Sequence, residues 1–249
     1  MKESEMAHRI FVAGATGAIG RRLVPLLIEA GHTVWGTTRS ASKATELQSA
    51  GANPVIVDVF DAAALSAAML AARPTIVVHQ LTDLPQGLDP ARMATAIAGN
   101  ARIRDEGTRN LIEAARKADV KRLIAQSIAW AYAPGPLPHG EQDPLDAGAE
   151  GPRAISVNGV IALERQVLGA PGMDGIVLRY GQLYGPGTGA DAPKPGASVH
   201  VDAAAHAALL AVERGTAGAY NIAEPNEQVS TDKAVAELGW RAGFRRARA

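Results

Sequence analysis

The stretch His8-Arg9-Ile10-Phe11-Val12-Ala13-Gly14-Ala15-Thr16-Gly17-Ala18-Ile19-Gly20-Arg21-Arg22-Leu23 decides the fold. It reads as a short buried strand over Arg9 to Ala13, a glycine-rich turn, and the first turns of a helix. Gly14 lets the chain leave the strand sharply. Gly17 lets backbone N–H groups approach a pyrophosphate with no Cβ in the way, and Gly20 lets the helix pack closely on the strand. The helix N-terminus adds free N–H groups and the positive end of its dipole. Gly14, Thr16, Gly17, Ala18 and Ile19 therefore form the expected phosphate cradle of a dinucleotide. A glycine triplet alone is a weak signal; one set between an apolar strand and an amphipathic helix is a strong one.

Working outward, the first helix is predicted from about Ala18 to Ala30, with a kink at Pro25 and a stop at Gly31. Thr33 to Thr38 is the second strand. A dinucleotide fold that selects NAD carries an acidic residue at its end. This chain has Thr37-Thr38-Arg39-Ser40, with Lys43 beyond. Arg39 suits a 2′-phosphate and Ser40 adds a donor, so NADP is the expected cofactor, with NAD possible. Ser42 is the expected cap of a helix through Ala50. The third strand, Pro54 to Val59, brings Asp58 and Val59 to the adenine end, and Asp61 suits the cap of the next helix. The fourth, Thr75 to Gln80, brings His79, Gln80 and Leu81 to the edge where ligands bind.

Asp89-Pro90 opens a long helical region to Ala118, in which Arg102 and Arg104 read as helix-surface charges. Strand five spans Val120 to Gln126. A Pro- and Gly-rich loop follows, Ile128 to Pro152, then a helix, Arg153 to Leu168, and strand six, Gly175 to Arg179. An Ala-rich helix to about Arg214, a strand from Ala219 to Ile222 and a helix from Thr231 to Leu238 complete the chain. Strict β-α alternation predicts a doubly wound parallel sheet of the α/β class with right-handed crossovers.

The composition narrows the function classes. Lys+Arg and Asp+Glu both number 25 in 249 residues, so the formal net charge is zero and nothing favours nucleic acid or an acidic membrane surface. Cysteine is absent, which removes disulfides, zinc-thiolate sites and thiol nucleophiles. No apolar run is long enough to span a bilayer, and Met1 to Ala7 lacks the apolar region of a signal peptide. A cytoplasmic protein is the expectation. The histidines are scattered and form no metal-binding pattern.

A family likeness emerges from motifs in order along the chain. They are the glycine turn, Asn100, Gly107-Thr108-Arg109-Asn110-Leu111, Ser127, Val177-Leu178-Arg179-Tyr180-Gly181, Tyr184-Gly185-Pro186-Gly187 and Val199-His200-Val201-Asp202-Ala203-Ala204. Lys233-Ala234 and Glu237-Leu238-Gly239-Trp240 follow. Together they resemble the extended short-chain dehydrogenase/reductase family, in its epimerase/dehydratase branch. The resemblance implies a Rossmann domain over residues 1–180 and a small, shortened substrate lobe over 181–249, interleaved with the last sheet strand. It implies an NAD(P)-dependent oxidoreductase or epimerase/dehydratase-like enzyme for a small carbonyl or hydroxyl substrate or a sugar nucleotide. It also implies a homodimer formed through the long helix and the helix after it, and an Asn100 that supports the site.

In that family a Ser or Thr after strand five binds the substrate oxygen, and Ser127 matches. A Tyr four residues before a Lys transfers the proton. Here Ser156 and Val160 stand at those places, and no Tyr-x-x-x-Lys occurs in the chain. The resemblance is therefore to atypical members. Tyr132 and His79 are the candidate acid/base groups, with Tyr180 and Tyr184 at the same end of the sheet. His139, Glu141 and Asp143 read as solvated loop residues. The alternative is an NADP(H)-binding regulator, scaffold or non-redox isomerase or cyclase on the same fold.

Overall fold

The structure is a computed structural model and describes residues 7–85 and 89–246. The expectation of no signal peptide, on Met1 to Ala7, therefore falls almost wholly outside the described residues. Among the described residues no helix is long and apolar enough to cross a membrane.

Seven parallel strands form one sheet in the order β3-β2-β1-β4-β5-β6-β9. These are β1 (Arg9–Ala13), β2 (Thr33–Thr38), β3 (Asn53–Ile56), β4 (Ile76–His79), β5 (Arg122–Ile128), β6 (Asp174–Tyr180) and β9 (Gly218–Ile222). Two short strands, β7 (Gln182–Tyr184) and β8 (Ser198–His200), pair beside them. The sequence order reverses between β1 and β4, so the crevice beyond their carboxyl ends is the natural ligand site.

The central strands are apolar on both faces because both are covered. On one face Ile10, Val12, Val78, Ile124 and Leu178 pack with Leu23 and Leu27 of α1 (Gly20–Glu29) and with α7 (Val201–Glu213). On the other, Phe11, Val77, Leu123 and Val177 meet α3 (Ala62–Ala72), α5 (Thr108–Lys117) and α6 (Gly151–Leu168). α2 (Ala41–Ser49) packs beside β2 and β3.

Several boundaries differ from expectation. α1 begins at Gly20 rather than Ala18, because the glycine turn uses the residues before it. Pro25 lies inside α1, which runs on to Glu29. Ser40, not Ser42, is the N-cap residue of α2; its hydroxyl bonds that of Ser42 at 2.9 Å. Asp61 caps α3 by accepting from the Ala64 N–H at 2.9 Å. β3 ends at Ile56, leaving Asp58 and Val59 in the connection that follows. The long helical region is α4 (Pro90–Arg102), a π-helical turn over Ile103–Gly107, and α5. A second π-helical turn, Ala234–Leu238, stands within the expected terminal helix.

Candidate active site

The phosphate turn is built around two glycines that tolerate no side chain. Gly14 has φ +89°, and a Cβ there would lie 2.6 Å from the Gln80 carbonyl carbon. A Cβ on Gly20 would lie 2.3 Å from the Gly14 oxygen. Turn, strand β1 and the end of β4 therefore close on one another at backbone distance. Gly17 is exposed, and its N–H donates to the Gly14 oxygen at 3.1 Å. Thr16 and Ala18 are half-buried, whereas Ile19 is buried and gives its side chain to the core. Ile19 can thus meet a ligand only through its backbone.

Beside this turn lie polar atoms that the protein itself leaves unserved. Both side-chain atoms of Gln80 are buried without a hydrogen-bond partner. The Tyr180 hydroxyl sits near that amide, and neither reaches full hydrogen-bond geometry. Burial pushes the Tyr180 phenol well above its usual range, so it stays protonated. A cradle closed to any Cβ, next to orphaned buried donors and acceptors, fits a polar ligand such as a dinucleotide.

At the adenine end Arg39 is 65% exposed, and its guanidinium stands 3.8 Å from Asp83 of the loop after β4. An exposed pair of this length contributes little, so the guanidinium is free to meet a phosphate. Ser40 is half-buried, and its N–H donates to the Thr38 hydroxyl at 3.2 Å. Asp58 accepts from the Phe60 N–H at 2.9 Å, and the Val59 carbonyl accepts from the Asn110 amide at 2.9 Å. The Leu81 N–H donates to His79 Nδ1 at 3.2 Å. Asn100 accepts the Asp83 N–H at 2.7 Å and so holds that loop to α4.

The three candidate catalytic groups prove to be committed elsewhere. His79 is fully buried. Because Nδ1 accepts from Leu81, Nε2 carries the proton and donates to the Thr108 hydroxyl at 3.1 Å. Burial, aided by the Arg104 charge, lowers its pKa to about 4. It is a neutral bracket between β4 and α5 with no nitrogen left for a substrate. Ser127 donates to Glu164 at 2.6 Å and is buried. Strand alternation turns its neighbour Ile128 the other way, into a cluster with Ala131, Val157 and Val160.

Tyr132 belongs to the same buried network as Ser127. Its hydroxyl donates to Asn221 at 2.7 Å and accepts from Arg179 at 2.8 Å. Arg179 also grips Glu164 with two nitrogens, at 3.0 and 2.7 Å. Burial raises the Tyr132 pKa, with the Arg179 charge opposing, so no phenolate forms near neutral pH. The loop residues expected to be solvated join this network: Glu141 accepts the Asn221 N–H at 2.8 Å, and His139 stacks on Tyr132 at 4.8 Å. Asp143 accepts the Gly140 N–H at 3.0 Å. Tyr184 points away, donating to Glu224 at 2.7 Å.

Arg104, read from sequence as a surface charge, is half-buried. It follows Asn100 by four residues and precedes Thr108 by four, so all three share the inner face of the long helix. That spacing was the available signal. Its guanidinium donates to the Ser156 carbonyl at 3.3 Å, and its stem passes against Gly159. Desolvation lowers its pKa to about 10, with Glu164 opposing, and it remains a cation.

The model of the NAD dependent epimerase/dehydratase family matches residues 10–198. A 3-diazoavenalumate denitrifying reductase from a Streptomyces species is 43% identical over 237 residues, covering 87% of this chain and 76% of that protein. A UDP-glucose 4-epimerase from Thermotoga maritima aligns with TM-score 0.76 at 22% identity, over 95% of this chain and 94% of that one. A Bordetella bronchiseptica enzyme solved with NAD and UDP aligns with TM-score 0.74 at 20% identity, over 99% and 92%. At these identities the two solved structures bear on the fold.

Proposed function

Because the chain belongs to the NAD dependent epimerase/dehydratase family, we propose that this enzyme is an NADP(H)-dependent reductase whose substrate takes hydride without a proton from the protein. The observation that carries this is the commitment of Ser127, Tyr132 and His79 to internal hydrogen bonds, with Ser156 and Val160 where the family has Tyr and Lys. A ketone reduced to an alkoxide needs an acid close by. Ser127, Tyr132 and His79, each held in internal hydrogen bonds, would not serve as that acid.

The substrate class follows from the same absence. When bound, the reduced nicotinamide supplies a hydride, and an aryl diazonium that accepts it and releases N2 becomes the arene with no proton taken up. The 43% identical relative, named for denitrifying a diazo compound, supports this class. Gly14, Thr16, Gly17, Ala18 and the Ile19 backbone would hold the pyrophosphate. Arg39 and Ser40 would hold the 2′-phosphate, Asp58 and Val59 would border adenine, and Gln80, Leu81, Asn100 and Tyr180 would line the nicotinamide half. Residues 181–249, which also contribute α7 and β9 to the main sheet layers, would supply a small substrate lobe, and the helix pair α4 and α6 a homodimer face.

The test follows NADPH absorbance with an aryl diazonium salt and with an aryl ketone of similar size. The expected result is oxidation faster than the enzyme-free control with the diazonium only, one N2 released per NADPH. Turnover of the ketone, or none of either, contradicts the proposal. The solved relatives' nucleotide ligands keep a second reading open to the same assay, a sugar-nucleotide epimerase. Such an enzyme also needs proton transfer, which the committed side chains do not provide.

A further inference from the structure

Arg104 is a half-buried cation whose guanidinium meets the Ser156 carbonyl. Thr108 touches His79, the last residue of β4, so that turn of the long helix stands level with the carboxyl edge of the sheet. Glu164 meets Ser127 and Arg179 near the ends of β5 and β6, which sets α6 at the same level. Arg104 stands one turn above Thr108, and Ser156 two turns above Glu164. The Arg104 guanidinium, bonded to the Ser156 carbonyl, therefore lies above the sheet edge between the two helices.

The charges around it are already spent. Glu164 is occupied by Arg179 and Ser127, and His79 is neutral. On the outer face of the same helix Arg102 pairs with Glu106 and Arg109 with Asp105, both at 2.7 Å. Arg153 pairs with Asp146 at 2.9 Å. Among the described residues no carboxylate lies within ion-pair distance of Arg104, and one backbone carbonyl is the acceptor it meets. A guanidinium with spare donors matches a planar oxyanion in a two-pronged bond. It sits in a π-helical turn, a local distortion often found at functional sites.

We propose that Arg104 determines substrate specificity by docking a carboxylate of a small substrate. This deepens the reductase reading and rests on it for the substrate's other end. A carboxylate fits better than a nucleotide diphosphate. The nearby cations among the described residues are paired, so Arg104 alone is left to match a single anionic group.

The test titrates the full chain calorimetrically with cinnamate and with its neutral isostere cinnamamide, with and without saturating NADP. Wild type is expected to bind cinnamate about tenfold tighter than the amide. Arg104→Gln should erase that preference while leaving NADP affinity within about twofold, and Arg104→Lys should keep part of it. An equal affinity for the two probes in wild type overturns the proposal. So does a preference that survives Arg104→Gln, or a loss of NADP binding as large as the loss of cinnamate. Arg104-dependent binding of UDP in place of cinnamate also overturns it. Should Arg104→Gln fail to fold, the wild-type comparison decides alone. Failure of NADP to bind wild type overturns the reductase reading instead, and the cofactor-free titration still decides for Arg104.

Discussion

Gly14 carries the phosphate turn twice over, through its positive φ and through the missing Cβ against Gln80. Gly14→Ala must strain the backbone and push β4 away at once. It is expected to lose about 2 kcal/mol or more of stability and most nucleotide affinity, read by denaturant titration and calorimetry. Arg39 makes a different prediction. Its one ion pair is long and exposed, so Arg39→Ala should leave stability unchanged and weaken NADPH about tenfold or more, with little effect on NADH. Equal losses would contradict the 2′-phosphate assignment. His79 supplies a pH signature. Its pKa is depressed by burial from 6.5 to about 4, so the neutral form belongs to the folded state. The stability it contributes is complete above pH 6.5 and is lost as the pH falls toward about 4, roughly 3 kcal/mol in all. His79→Asn should flatten that limb of the stability curve measured by urea unfolding; an unchanged limb would contradict the assignment.

Among the elements, β5, β6, α6 and the loop after β5 are tied by one buried network. Glu164 on α6 receives Ser127 from β5 and Arg179 from β6, while Arg179 also reaches Tyr132 and the Glu141 carbonyl of the loop. Removing one member of a buried ion pair leaves the other unpaired, which costs about 3–5 kcal/mol. Arg179→Leu should therefore destabilise severely, whereas Ser127→Ala should cost about 1 kcal/mol and leave the Michaelis constant unchanged. A rise in that constant without loss of stability would return Ser127 to the substrate. These ties explain what the sequence could not disclose. Ser127, Tyr132 and His79 stand at the right strand ends, and sequence position alone suggested catalysis. Which partner each hydroxyl or imidazole takes depends on residues 37, 89 and 29 positions away in the chain. Arg104 was misjudged for the opposite reason: its charged neighbours on both sides are surface residues, and the four-residue spacing to Asn100 and Thr108 was outweighed.

For the whole molecule, the legible part was the alternation of strands and helices and the glycine turn, because both arise from local period and backbone sterics. The sheet order and the crevice between β1 and β4 followed from them. Strand ends slipped by a few residues where propensity is weak, as at β3, which stops at Ile56 ahead of Asp58. The chemistry was legible mainly as a gap, the missing Tyr and Lys; the structure ties Ser127, Tyr132 and His79 into internal hydrogen bonds. On the proposed reading, the site positions a hydride acceptor rather than protonating it. The most direct measurement is calorimetric titration of the purified protein with NADPH, NADP, NADH and NAD. Binding of the two phosphorylated forms about tenfold or more tighter than their counterparts is the predicted result. Binding of none of the four would contradict the account at its root, since the glycine turn would then serve another ligand.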